Sequence, residues 1–106
     1  MDDATYGGYV ARHGRPPAFT GSDGASYSVA VLVDAAPSGS ARYGAAFLFV
    51  RWSPAGDRPA GHVESGFLTY GDTPDAAELG LREISLFDIK AHLDRAIAAR
   101  VDFPDP

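Results

Sequence analysis

Tyr43-Gly-Ala-Ala-Phe-Leu-Phe-Val-Arg-Trp52 is the stretch that decides the fold of this chain. Its even and its odd positions both carry apolar side chains, and Arg51 is its only charge. A strand with one face in water alternates apolar and polar residues, whereas a strand covered on both faces has an apolar run. The pattern therefore predicts a central β-strand with two apolar faces, and it raises the question of what covers the second one.

The whole chain has 106 residues, which is the size of one domain with an ordinary hydrophobic core. We therefore predict a single α+β domain over residues 1–106, with loose ends at 1–4 and 102–106. No stretch approaches the roughly 20 apolar residues of a membrane helix. The acidic start of the chain also differs from the basic start of a secretory signal. These features predict a cytoplasmic protein without a membrane partner.

The composition narrows the possible chemistry. The chain contains no cysteine, which excludes disulfides, thiolate metal sites and thiol nucleophiles. Its net charge of −5 argues against nucleic acid as a partner, because phosphate contacts need a basic surface. We therefore expect no cofactor.

Alternation and turn residues indicate an antiparallel sheet. Tyr27, Val29 and Val31 alternate with smaller or more polar residues, and Asp23-Gly24 before them is a strong hairpin signal. The paired glycines near the start of the chain favour only a weak edge strand there. We predict four strands in meander order, over residues 4–12, 25–34, 43–52 and 62–70.

Two helices are predicted after the sheet. Thr73 precedes Pro74 in the pattern of a helix N-cap followed by a first-turn proline, and Gly80 is expected to end or interrupt that helix. Ser85 caps the second helix, whose apolar stripe comprises Leu86, Ile89, Leu93 and Ile97. The predicted fold class is α+β, in the order β-β-β-β-α-α, with the C-terminal helices packed on one face of the sheet.

The pairing of the third and fourth strands decides which side chains share a face. If residues 54–61 close a hairpin, Ser53 lies opposite His62, and Arg51 lies opposite Glu64 as a pair of opposite charges. The first face then carries Tyr27, Val29, Val31, Val33, Leu48, Val50, Trp52, Val63 and Phe67. The second carries Leu32, Tyr43, Phe47, Phe49, Leu68 and Tyr70, with Ser28, Arg51, His62 and Glu64 toward one end. We expect the helices to cover the first, valine-rich face.

The second face is then the candidate functional surface, because large exposed apolar patches usually mark interaction sites. The predicted binding residues are Phe47, Phe49, Arg51, His62, Glu64, Leu68 and Tyr70. The function that follows is a small non-enzymatic interaction domain, which forms a homodimer or binds another protein. The alternative is a protein or enzyme that binds a small apolar molecule in a pocket on the Phe47/Phe49 face.

No pattern in the chain predicts a catalytic or metal residue. His62 and Glu64 would supply two metal ligands, but zinc needs a third that no diagnostic spacing provides. Asp88 and His92 stand one helical turn apart without a nucleophile at a recognisable offset. A surface ion pair and an exposed helix pair are the simpler interpretations.

One basic segment offers a nucleic-acid interpretation. Residues 12–17, Arg-His-Gly-Arg-Pro-Pro, resemble the Arg-Gly-Arg-Pro core of AT-hook arms, which bind the minor groove. The resemblance covers four residues, and the flanks are not basic. A plain connector is the better interpretation, and nucleic-acid binding through Arg12 and Arg15 is the lesser alternative.

Overall fold

The computed structural model describes residues 4–36 and 42–101. The elements in chain order are α1 (Tyr6–His13), β1 (Ala18–Thr20), β2 (Ser26–Ala35), β3 (Tyr43–Trp52), β4 (Pro59–Glu64), β5 (Thr69–Gly71), α2 (Pro74–Leu81) and α3 (Leu86–Val101). The strands β1-β2-β3-β4 form an antiparallel sheet in that order. The short strand β5 pairs with the first residues of β3, and β4 pairs with its later residues. The predicted α+β class, with a four-stranded antiparallel sheet and C-terminal helices, is confirmed.

The strand predicted over residues 4–12 is wrong, because this segment forms α1. Thr5 caps the helix by accepting a hydrogen bond from the Gly8 amide at 3.1 Å. Tyr6 is buried, and its ring centroid lies 5.2 Å from that of Phe47. Val10, one turn later, also packs against the core. Burial of this apolar pair stabilises a helix whose glycines give it little intrinsic propensity.

Of the loose ends predicted at 1–4 and 102–106, only Ala4 lies within the described residues. Its carbonyl accepts a hydrogen bond from the Leu86 amide at 2.7 Å. The neighbouring Thr5 forms an isolated antiparallel bridge with Ser85. The start of α1 is therefore tied to the junction between α2 and α3.

The hairpin between β3 and β4 is three residues tighter than predicted. Ser53 donates its amide to the Arg58 carbonyl at 2.9 Å, so the turn closes before Pro59. The register then shifts by one residue between Val50 and Trp52, so that His62 lies opposite Val50 rather than Ser53. The predicted pairing of Arg51 with Glu64 is wrong for the same reason. A shift by an odd number of residues exchanges the faces of one strand relative to its neighbour.

The strand predicted over residues 62–70 is two short strands. The ladder stops after Glu64, and Gly66 has a φ of 78°, a backbone conformation that suits glycine. β5 then resumes pairing with β3 at Thr69 opposite Ala45. The Ser65–Leu68 linker thus stays beside β3 without being a regular strand.

The predicted helix caps are confirmed. Thr73 accepts a hydrogen bond from the Ala76 amide at 3.1 Å, and Ser85 accepts one from the Asp88 amide at 3.0 Å. Gly80 was expected to end or interrupt the helix, and α2 ends one residue after it, at Leu81, without an interruption. Leu81 is fully buried, so packing of the last turn outweighs the low helix propensity of the glycine before it.

The core lies between one face of the sheet and the three helices. In the β2–β3 register Val29 lies opposite Phe49 and Val31 lies opposite Phe47, so the valines and both phenylalanines share one face. The helices cover the valine-rich face of β2, as expected. The assignment of Phe47 and Phe49 to the other face is wrong. The core comprises Tyr6, Tyr27, Val29, Ala45, Phe47, Phe49, Val63, Ala77, Leu81, Ile89, Leu93 and Ile97.

Candidate interaction surface

The side of the sheet away from the helices is called here the outer face. Its strand positions are Ser28, Ala30, Leu32 and Asp34 of β2, Gly44, Ala46, Leu48, Val50 and Trp52 of β3, His62 and Glu64 of β4, and Tyr70 of β5. All three helices direct their buried side chains into the core on the opposite side. The outer face is therefore a sheet surface with an apolar central strand. Within the described residues, no helix packs on it.

Trp52 is anchored on the outer face by a hydrogen bond. Its indole Nε1 donates to the Ser28 hydroxyl at 2.9 Å, and both side chains are partly exposed. Tryptophan is frequent in interfaces because a large apolar ring can be buried while its N–H keeps a partner. The bond to Ser28 fixes the position of this ring on the outer face.

Phe67, in the linker between β4 and β5, covers the other end of the outer face. A Cβ placed on Gly44 would stand 2.5 Å from Cγ of Phe67, so the ring rests directly on the glycine backbone. Tyr70 meets this ring edge-on, with centroids 6.0 Å apart and planes at 73°. Tyr70 is 55 % exposed and forms an aromatic edge of the outer face.

A shallow hollow of ≈ 280 Å³ lies between Phe67 and β2. It is lined by Leu32, Asp34, Ala46, Glu64, Gly66 and Phe67. Ala46 is only 1 % exposed and forms the floor, because its small side chain lies between larger neighbours. The walls are apolar, and the two carboxylates stand at the rim.

Phe47, Phe49 and Leu68 do not belong to this surface. Both phenylalanines are 0 % exposed beneath the helices, and Leu68 packs against the same core. The expectation of an uncovered Phe47/Phe49 face is therefore wrong. The pocket for a small apolar molecule that was expected there is not formed either, since helix side chains occupy that space.

Three of the predicted binding residues lie on the outer face, His62 and Glu64 close together and Tyr70 toward the other end of β3. His62 Nε2 lies 3.7 Å from Glu64 Oε2, and both side chains are about half exposed, at 59 % and 47 %. Arg51 lies on the opposite side of the sheet, where its Cα partner is Tyr27. The polar margin predicted from these side chains is thus divided between two faces.

Arg51 instead belongs to a polar cluster at the β1–β2 turn. Asp23 accepts a hydrogen bond from the Tyr27 hydroxyl at 2.7 Å and lies 3.7 Å from Nε of Arg51. Burial and the bond to Asp23 raise the pKa of Tyr27 to about 12. Partial burial acts to raise the pKa of Asp23, but hydrogen bonds from Tyr27 and Ala25 and the charge of Arg51 outweigh it and lower that pKa. The cluster fastens the turn to the sheet.

The described residues do not assemble the other candidate sites. His92 Nδ1 lies 2.8 Å from Nη2 of Arg95, so a cation rather than Asp88 contacts this nitrogen. Burial, together with Arg95, lowers the pKa of His92. Within residues 4–36 and 42–101, no three potential ligands cluster in a way that would hold a metal ion. No helix in the same residues has the length and apolar character needed to span a membrane.

The basic segment at residues 12–17 is not a continuous extended arm. Arg12 and His13 form the last turn of α1, and Gly14 ends the helix before Arg15. An AT-hook arm binds the minor groove as an extended chain, whereas the first two residues of this segment are helical. The resemblance therefore does not extend to the backbone conformation, and nucleic-acid binding stays an untested alternative.

The predicted set omitted several residues of the outer face. Leu48, Val50, Trp52 and Phe67 were assigned to the helix-covered face, and Ala46 was not singled out. A signal was present in the sizes of the side chains: β3 carries its two phenylalanines at odd positions and Gly44 and Ala46 at even ones. In the middle of the strand, burial of the two phenylalanine rings favours the odd positions for the helix side, while the largest ring, Trp52, occupies an even position at the end of the strand.

Comparison of the chain with protein families, with curated proteins and with solved structures gives no match in any of the three. Inferences about function therefore depend on the outer face itself.

Proposed function

We propose that this chain is a small non-enzymatic interaction domain that binds a protein through its outer face. The partner is another protein or a second copy of the chain. The single observation that carries the proposal is the apolar row Ala46, Leu48, Val50 and Trp52 on the side without helices. Contiguous apolar surface on a folded domain usually marks an interaction site.

The layout of the outer face resembles that of protein interfaces. Such interfaces combine an apolar centre with a polar rim, and aromatic residues contribute most of the binding energy. Here Trp52 and Tyr70 stand at opposite ends of the apolar row, and His62 and Glu64 lie along one margin. Covering the apolar atoms would contribute about 25 cal/mol per Å² removed from water, and the lost freedom of the two partners offsets part of this.

The non-enzymatic part of the proposal has separate support. The polar groups near the centre of the outer face are two acids and one histidine, and only His62 and Glu64 lie close together. Asp88 and His92, the other acid–histidine pair considered, lie on α3 and are not arranged as a general base and its orienting carboxylate. Catalysis needs reacting groups held in mutual geometry, and these pairs do not supply a third member.

The proposal is tested by placing a charge in the centre of the outer face. Val50→Lys adds a cation to the apolar row, and Ala98→Lys adds the same charge on the exposed side of α3. Partners captured by the unmodified chain are purified, and their affinities for both variants are measured. We expect Val50→Lys to weaken binding at least about tenfold, because a lysine would be desolvated there. Ala98→Lys should bind like the unmodified chain.

The same two variants test self-association. If a second copy is the partner, sedimentation equilibrium shows a dimer that Val50→Lys dissociates and Ala98→Lys does not. Hydrogen exchange then maps protection in either case to β3 and β4. Equal binding by both variants, or protection confined to the helices, would contradict the proposal.

A further inference from the structure

The hollow in the outer face combines an apolar floor with acidic corners. Ala46 forms its floor, Leu32 and Phe67 form its walls, and the carboxylates of Asp34 and Glu64 stand at its rim. Asp34 accepts a hydrogen bond from the Ala35 amide at 2.8 Å. Glu64 lies beside the imidazole of His62, which carries charge only when protonated, and it lines a neighbouring hollow together with Arg100. In the described part of the chain, no lysine or arginine lies within ion-pair distance of either carboxylate.

The register places the two carboxylates at opposite corners of the hollow. Asp34 of β2 lies opposite Gly44, and Glu64 of β4 lies opposite Leu48. The two acids therefore stand on opposite sides of β3, and their partners are four residues apart along it. With strands about 4.8 Å apart and a rise of about 3.3 Å per residue, their Cα atoms are separated by roughly 16 Å. Because the two acids are attached to the sheet this far apart, two cations on either side of an apolar segment can each reach one carboxylate.

A second copy of the chain offers the hollow mainly negative charge, because the arginines beside its outer face, Arg42 before β3 and Arg100 next to His62, stand at the edges. The strand positions of the outer face include two carboxylates and one histidine but no lysine or arginine. Two copies packed face to face would bring Asp34 and Glu64 of one against the same acidic surface of the other. Like charges brought together in an interface disfavour association, and the net charge of −5 adds to the repulsion.

We propose that the hollow, with Asp34 and Glu64, receives a segment of a different protein that carries an apolar centre flanked by two lysine or arginine side chains. This inference rests on the proposed function and specifies its partner. The apolar side chains of the segment enter between Leu32 and Phe67. Its two cations reach the carboxylates at the corners, where the stems of lysine or arginine also cover apolar surface.

The test uses two helical peptides of one length. The first carries arginine at positions i and i+11 and leucine at i+4 and i+7, which places all four on one stripe with the arginines about 16 Å apart. The second replaces both arginines by glutamate. Binding to the full chain is followed by amide NMR shifts. We expect the arginine peptide to shift Ala46, Glu64, Gly66 and Phe67, and the glutamate peptide to bind about tenfold or more weakly.

Charge-removing variants identify the carboxylates involved. Asp34→Asn with Glu64→Gln keeps the shape and should weaken the arginine peptide about threefold to tenfold, since each exposed ion pair contributes up to about fivefold. Glu83→Gln removes one charge from the exposed turn between α2 and α3 and should leave the affinity unchanged.

Each other outcome overturns the inference in a recognisable way. Equal binding of both peptides would show that charge does not select the partner, and the proposed function would stand. Self-association of the unliganded chain through the outer face would assign the surface to a second copy. Binding of neither peptide at the outer-face amides would remove the basic–apolar segment as its occupant.

Discussion

The ring of Phe67 rests on the bare backbone of Gly44, where a Cβ would stand only 2.5 Å from Cγ of the ring. Phe67 belongs to the linker between β4 and β5, and Gly44 belongs to β3. The contact therefore ties an irregular segment onto the outer face and forms one wall of the hollow. An aromatic ring over a strand glycine restores the packing that the missing side chain would have supplied.

The first prediction concerns this contact. Gly44→Ala forces Phe67 from its position and should lower the free energy of unfolding by about 1 to 3 kcal/mol, as overpacked sites do. Urea unfolding of the single variants Gly44→Ala and Phe67→Ala and of their double variant measures the coupling. We expect Gly44→Ala to cost much less when Phe67 is already alanine. Additive costs would show that the ring is not the obstacle.

The second prediction compares neighbours on opposite faces of β3. Phe49 is fully buried among the helices, so Phe49→Ala should cost about 3 to 5 kcal/mol of unfolding free energy. Val50 is partly exposed on the outer face, and Val50→Ala should cost about 1 kcal/mol or less. Chemical denaturation of both variants tests the assignment of faces. A larger cost at Val50 than at Phe49 would reverse it.

The third prediction concerns stability at high pH. The pKa of Tyr27 is about 12 in the folded chain and about 10 in an unfolded one, so the unfolded state loses this proton first as the pH rises. The contribution is complete below pH about 10 and disappears as the pH reaches about 12, a loss of about 2 to 3 kcal/mol. Urea unfolding at several alkaline pH values measures it.

The control for Tyr27 is Tyr27→Phe. This variant loses the hydrogen bond to Asp23, which should cost about 1 kcal/mol near neutral pH. Above pH about 10 the variant should also lose stability less steeply than the unmodified chain, because it lacks the ionisation of Tyr27. The other tyrosines are common to both proteins and so do not affect the difference. Parallel pH curves for the two proteins would contradict the raised pKa.

The fourth prediction concerns the start of α2. Thr73 caps this helix through its hydroxyl, so Thr73→Ala should lower the free energy of unfolding by about 1 kcal/mol. Thr73→Ser keeps the hydroxyl and should retain nearly all of the stability. Thermal unfolding followed by circular dichroism compares the two. Equal destabilisation by serine and alanine would indicate that the methyl group of Thr73, rather than its capping hydrogen bond, accounts for the lost stability.

Local chemistry was enough to predict much of the fold. The caps at Thr73 and Ser85, the turn at Asp23-Gly24 and the apolar stripe from Leu86 to Ile97 were all recognisable, because each depends on residues only a few positions apart. The segment at residues 4–12 was mispredicted because its helix depends on a distant contact. Tyr6 packs on Phe47, and no local pattern indicates that partner.

The candidate surface was only half predictable. An excess of apolar side chains on β3 indicated a second apolar face, and His62, Glu64 and Tyr70 were assigned to it. Phe47 and Phe49 were assigned to the wrong side because the predicted faces placed Val29 and Val31 with Leu48 and Val50, whereas the β2–β3 register pairs these valines with Phe49 and Phe47. Since successive side chains of a strand point to opposite faces, one error in register moves every residue of that strand.

The amino-acid sequence by itself determined that β3 would be a strand with two apolar faces, because side-chain period and hydropathy are properties of neighbouring residues. Only the tertiary structure decided which of those faces the helices cover. That choice depends on the register between β2 and β3, in which Val29 pairs with Phe49 and Val31 with Phe47, and on the packing of large rings between distant elements.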